Sequence, residues 1–124
     1  MDTGANKSVE QYIQENPVMM FSKSYCPFCD QAKQLLKSKG IEFFAIEMDQ
    51  MQGGDELHKE LKAFSGQNTV PNTYIGGKHL GGCDDTKAAE KSGKLKELCD
   101  AAGVAHKMWV GVSDSLVIWI TKLK

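Results

Sequence analysis

Apolar positions along the chain switch between helical and strand-like spacing, and the switches outline a mixed fold. Val9, Tyr12 and Ile13 recur at helical spacing behind Asn6 and Ser8, either of which suits a helix cap, and Asn16-Pro17 closes the run. Val18-Met19-Met20-Phe21 is a short unbroken apolar stretch of the kind a buried strand carries. Ala32, Leu35 and Leu36 then mark a helix over about 27–38, with Gly40 as its stop, and Ile41 to Ile46 reads as a second strand. A helix between two strands at such short connections predicts a right-handed βαβ unit with a parallel pair.

Downstream, Met48 to Gly54 is a polar loop, and Asp55 is placed to cap a helix whose apolar face is Leu57, Leu61 and Phe64. Ser65 to Asn68 ends that helix, and Thr69-Val70-Pro71 leads into a strand at 72–75. Gly76-Gly77 is a good two-residue hairpin loop, so Lys78-His79-Leu80 should return antiparallel. Gly81 to Thr86 is a turn with Asp84 or Asp85 at a helix cap, followed by short helices at about 85–91 and 94–102. The pattern predicts an α/β domain, a four-stranded mixed sheet with helices on both faces. Leu95, Leu98, Cys99 and Ala102 share one helical face, which makes Cys99 a core thiol.

Composition narrows the picture in a few respects. The chain has 124 residues, 41% hydrophobic and 25% charged, which fits one globular domain. A net charge of −1 gives no electrostatic reason to expect nucleic acid or an anionic membrane as partner. The N-terminal MDTGANKSVE has no apolar run and does not read as a secretory signal, so cytoplasm is the expected compartment. Four cysteines in a reducing compartment imply chemistry at the tight pair, with Cys83 and Cys99 as free thiols.

That pair, in Ser24-Tyr25-Cys26-Pro27-Phe28-Cys29, lies where the first strand gives way to a helix. Pro27 suits the first helical position, because its φ is preset and its missing N–H would have had no acceptor. The helix start places N–H groups and positive potential beside Cys26, which favours a thiolate there. Cys29 is one turn further on the same face, close enough to form a disulfide. Zinc sites use the same Cys-x-x-Cys spacing but need a second ligand pair, and Cys83, Cys99, His58, His79 and His106 contain no tight one.

Cys26-Pro27-Phe28-Cys29, Thr69-Val70-Pro71 and Gly81-Gly82-Cys83-Asp84-Asp85 together resemble the three signatures of a dithiol glutaredoxin, over about residues 6–102. The resemblance implies a thioredoxin-like fold, glutathione as cosubstrate, and reduction of glutathione mixed disulfides. It makes Pro71 a cis proline facing the dithiol and lets Val70 pair its backbone with an extended peptide. Lys23 would answer the glycyl carboxylate of glutathione, and the helix start after Gly82 its γ-glutamyl carboxylate, with Asp84 accepting from the amine. His58 stands where family members place a glutamine facing the glycyl carboxylate. Phe28 replaces the family's usual tyrosine, keeping the apolar contact without the hydroxyl. Cys83 lies next to this pocket, either as a bystander or as a site of regulatory oxidation.

The resemblance further implies two routes. Cys26 alone would exchange with glutathione mixed disulfides, and Cys29 would be needed only to resolve a disulfide with a protein substrate. The partners would be glutathionylated proteins, protein disulfides and, through oxidised glutathione, glutathione reductase. Two other readings compete: a glutathione-ligated [2Fe–2S] carrier, against which Pro27 argues, and a non-catalytic redox-switched interaction module. Residues 1–103 form the expected glutaredoxin domain, and 104–124 an apolar extension. Its Leu116-Val117-Ile118-Trp119-Ile120 run is too short for a membrane span and favours a strand by residue type. A monomer is expected unless this extension drives association.

Overall fold

The computed structural model describes residues 7–108. The elements run α1 (Val9–Glu15), β1 (Val18–Ser22), α2 (Pro27–Ser38), β2 (Phe44–Glu47), α3 (Gly54–Ser65), β3 (Asn72–Ile75), β4 (Lys78–Gly81), α4 (Cys83–Ser92) and α5 (Lys94–Ala102), with a 3-10 turn at Met48–Gln50. The four strands form one sheet in the order β2-β1-β3-β4. β1 pairs parallel with β2 and antiparallel with β3, and β3 pairs antiparallel with β4. This is the thioredoxin-like α/β architecture expected from the sequence.

The five residues of β1 are all buried, because the strand is central and covered on both faces. Its alternate side chains feed two cores. Val18 and Met20 join Ala32, Leu36, Leu80, Ala89, Leu95 and Cys99 beneath α2, α4 and α5. Met19 and Phe21 join Tyr12, Ile13, Leu57, Leu61 and Tyr74 beneath α1 and α3. Cys99 is fully buried, as its helical face required, and burial pushes its thiol up to about 11.

Ser8 caps α1 through a capping box with Gln11, which settles the choice between Asn6 and Ser8. Three boundaries differ from the sequence expectation. The second strand begins at Phe44, not Ile41, since Ile41 closes the α2 turn by donating its N–H to Leu36. α3 is capped by Gly53 in the left-handed region, not by Asp55, and a Cβ on Gly54 would meet the Met48 carbonyl oxygen. α4 begins at Cys83, with Gly82 as its cap. Asp85 acts from inside that helix, its carboxylate accepting from the Gly82 N–H at 3.0 Å.

After α5 the chain lies back on the domain. Val104 and Met108 pack on the α2/α4/α5 core, and the Lys107 N–H donates to the Lys39 carbonyl at 2.7 Å. The strand expected at 116–120 falls outside the described residues.

Leu61 is fully buried and central to the α1/α3 core. Leu61→Ala should cost about 2–5 kcal/mol in urea unfolding, since neighbouring side chains collapse only partly into the cavity. A loss well under about 1 kcal/mol would mean that α3 is not packed as described.

Candidate active site

Cys26 is delivered by the loop between β1 and α2. The loop is closed by the Cys26 N–H donating to the Lys23 carbonyl at 3.1 Å. It is anchored from outside by Asp49, which accepts from the Ser24 N–H at 2.8 Å and from the Ser24 hydroxyl. The Ser24 hydroxyl, with help from its N–H, holds the Asp49 carboxyl below the usual carboxylate value.

Cys26 is the N-cap residue of α2, and its sulfur takes the place of a capping oxygen. The Cys29 N–H donates to Cys26 Sγ at 3.2 Å, and Pro27 occupies the first helical position as expected. A sulfur at a helix N-terminus, accepting from an otherwise partnerless N–H, is placed where negative charge is favoured. On its other side, Cys26 Sγ lies 3.6 Å from the Val70 carbonyl oxygen. Cys26 is 8% exposed, whereas the Tyr25 and Phe28 rings beside it stand out at 70% and 57%.

Cys29 differs sharply although it is only three residues away. It is fully buried, and burial, assisted by the hydrogen bond to Cys26, pushes its thiol up to about 11. One sulfur of the pair therefore caps a helix end with slight exposure, and the other is fully buried with its thiol raised.

Beside the dithiol is a cavity of about 420 Å³, walled by Phe28, Gln67, Thr69, Val70, Pro71, Gly82, Cys83, Asp84 and Asp85. It brings together seven of the residues singled out from sequence: Phe28, Thr69, Val70, Pro71, Gly82, Cys83 and Asp84. The Val70-Pro71 bond is cis. Asp84 is exposed at the cavity, and Cys83 is buried, its thiol 3.8 Å from Gln31 Oε1. Gly81 is required by its backbone, at φ 109°, and by Asp85, whose carboxylate occupies the space of a Cβ.

Lys23 and His58 do not line this cavity, and neither do Cys26 and Cys29 themselves; Cys26 adjoins it through the Val70 carbonyl. Lys23 is half-buried, and its carbonyl serves the loop as described. His58 Nε2 donates to the Asn68 carbonyl at 3.1 Å, so the ring braces the segment leading to Thr69. Sequence reasoning also missed a wall residue. The Gln67 amide donates to both the Thr69 carbonyl (2.8 Å) and the Pro71 carbonyl (3.0 Å), clamping the backbone on either side of Val70. Nothing in its local sequence marks it, because it falls in the Ser65 to Asn68 stretch that ends the helix. A second cavity of about 460 Å³ lies between Pro17, Phe44 and Val104, but it has no thiol in its wall.

Comparison with known proteins agrees with this geometry. A family model described as glutaredoxin matches residues 18–80. The chain is 46% identical over 98 residues to a glutaredoxin of Solanum lycopersicum, covering 79% of this chain and 91% of that one. It is 45% identical over 94 residues to a glutaredoxin of Vernicia fordii, covering 76% and 90%. Among solved structures, a buckwheat glutaredoxin–glutathione complex superposes with a TM-score of 0.74 at 40% identity, covering 76% of this chain and 86% of that one.

Because its pKa is depressed on folding, Asp49 contributes stability above the ordinary carboxylate range that is lost as pH falls through its folded value. Asp49→Asn should therefore lower the thermal midpoint near neutral pH, and the gap to the parent should close in acid. A gap that persists at acid pH would show that the Asp49–Ser24 anchor is not responsible.

Proposed function

The chain belongs to the glutaredoxin family of thiol–disulfide oxidoreductases, and from that premise we propose that it reduces glutathione mixed disulfides through Cys26 alone and protein disulfides through Cys26 and Cys29 together. The observation that carries this reading is the asymmetry of the dithiol beside a peptide-sized cavity. Cys26 caps a helix with its sulfur 3.6 Å from the carbonyl of Val70, a residue of the cavity wall, while Cys29 is fully buried with its thiol raised.

In the first route the Cys26 thiolate attacks the glutathione sulfur of the mixed disulfide. A Cys26–glutathione bond forms, the substrate's sulfur–sulfur bond breaks, and the electron pair leaves on the substrate thiolate, which takes a proton from water. A second glutathione thiolate then attacks the bound glutathione sulfur and releases oxidised glutathione and the Cys26 thiolate. In the second route Cys29 loses its proton to solvent and attacks the Cys26 sulfur of a Cys26–protein disulfide; the intramolecular bond forms, the Cys26–protein bond breaks, and the electron pair leaves on the substrate thiolate, which takes up a proton.

The cavity supplies matching contacts for the tripeptide. The N–H groups of Cys83 and Asp84 lie in the first turn of α4, where no intrahelical acceptor exists, and suit the γ-glutamyl carboxylate. The exposed Asp84 carboxylate accepts from the γ-glutamyl amine. The Val70 backbone, clamped by Gln67, pairs with the extended cysteinyl unit. Lys23, on the Cys26 loop, supplies positive charge for the glycyl carboxylate. The similar buckwheat protein is seen in complex with glutathione, which supports glutathione as the ligand.

The test is turnover of a glutathionylated small disulfide coupled to glutathione reductase. Cys26→Ser should abolish turnover and Cys29→Ser should retain most of it, while both should fail to reduce a protein disulfide. Activity lost in Cys29→Ser but kept in Cys26→Ser would reverse the two roles.

A further inference from the structure

β2 is an edge strand. β1 pairs with one of its sides, and among the described residues no strand pairs with the other. The outward N–H and C=O groups of Phe44–Glu47 are therefore a template for one more strand. The side chains suit the same addition. Ala45 packs against the α2/α4/α5 core and Ile46 against the α1/α3 core, so both cores run out to this edge. Phe44 is left 46% exposed there.

Beside the start of β2 is the cavity of about 460 Å³, with Pro17, Phe43, Phe44 and Val104 in its wall. It lies at the opposite end of the sheet from the Cys26 loop, since Val18 and Phe44 begin the two parallel strands and Ser22 and Glu47 end them. The chain arrives at this place after α5. Val104 and Ala105 form part of the wall, and the Lys107 N–H donates to the Lys39 carbonyl at 2.7 Å. The Lys107 side chain occupies the space of a Cβ on Gly40, another wall residue, and Met108 is buried in the α2/α4/α5 core.

Residues 109–124 continue from this point, and Leu116-Val117-Ile118-Trp119-Ile120 among them is apolar at every position. Eight residue steps from Met108 to Leu116 reach about 26 Å when extended, twice the ~13 Å radius of gyration of a hundred-residue domain. Gly111 and Ser113-Asp114-Ser115 supply turn residues for a reversal on the way.

We propose that residues 116–120 add to the outer edge of β2 as a fifth strand and cover the cavity beside Phe44. The lengths match, at about 17 Å for five extended residues against about 13 Å for the four of β2. A strand without polar alternation needs cover on both faces, and an edge reached by both cores provides it. A second copy of the chain carries the same run. Tethering, however, gives the chain's own segment an effective concentration on the order of mM, so it occupies the edge first. Docking hides the open edge, Phe44 and the apolar run together, and it leaves the cavity near Cys26 untouched.

Tryptophan emission reads this directly, because the two tryptophans of the chain, Trp109 and Trp119, both lie in the segment. In the full chain carrying Trp109→Phe, Trp119 emits alone. Its emission should be blue-shifted, and several-fold less quenched by acrylamide, relative to the same protein in urea, at concentrations where sedimentation shows a monomer. Adding Phe44→Lys, which sets a charge in the cavity wall, should return both readings most of the way to their urea values. Should Phe44→Lys not fold by circular dichroism, Phe44→Thr, which keeps a strand-forming residue, takes its place with the same expected outcome. The proposal is overturned if Trp119 is quenched in buffer as readily as in urea, or if the Phe44 substitution leaves it shielded. It is also overturned if shielding appears only as the sedimenting species becomes a dimer, which would make a second copy the occupant.

Discussion

The hydrogen bond from the Cys29 N–H to the Cys26 sulfur joins the chemistry to the fold. It exists because α2 begins at Pro27, leaving Cys26 as the cap with its sulfur aimed along the helix axis at the first N–H groups. Everything that sets where α2 begins therefore sets the nucleophile. The central strand β1 fixes the loop's origin, Asp49 holds Ser24, and the Ala32 and Leu36 face of α2 anchors the helix against the sheet. A shift of α2 by one residue would place a different side chain at the cap and turn Cys26 away from it.

The same helix divides the labour between two chemically identical groups. Cys26 lies where helix-end N–H groups and a cavity meet, and Cys29 lies one turn deeper, against the buried Ser22. Burial raises the thiol of Cys29 to about 11, a value shared by Cys99, which has no redox partner at all. Desolvation thus dominates at both. What separates the two is the neighbour within reach: Cys26 for Cys29, as the proposed resolving role requires, and none among the described cysteines for Cys99.

The cavity beside Cys26 is assembled from segments remote in sequence. The 67–71 turn and the α4 start are brought together by the β3–β4 hairpin, whose Gly76-Gly77 turn returns the chain within two residues. Gln67 and Asp85 stiffen the two walls from within, one clamping carbonyls around Val70 and the other satisfying the Gly82 N–H. This leaves the walls' remaining backbone groups to face the cavity, as the proposed recognition of a tripeptide with few charged side chains requires.

Periodicity and turn chemistry in the sequence determined the order of the elements, the sheet's mixed pairing, the hairpin, the core role of Cys99 and the helix-end position of Cys26. These are local properties, decided within about one helical turn or one strand. Boundaries moved where tertiary contacts overrode local preference, as when Met48 packing made Gly53 and not Asp55 the cap of α3. Only the folded chain could place Gln67 in the cavity wall, turn His58 toward Asn68, and join Ser22, Glu47 and Lys33 through hydrogen bonds. Those groups meet across strand pairs and helix faces separated by many residues, and no spacing along a single segment encodes such contacts.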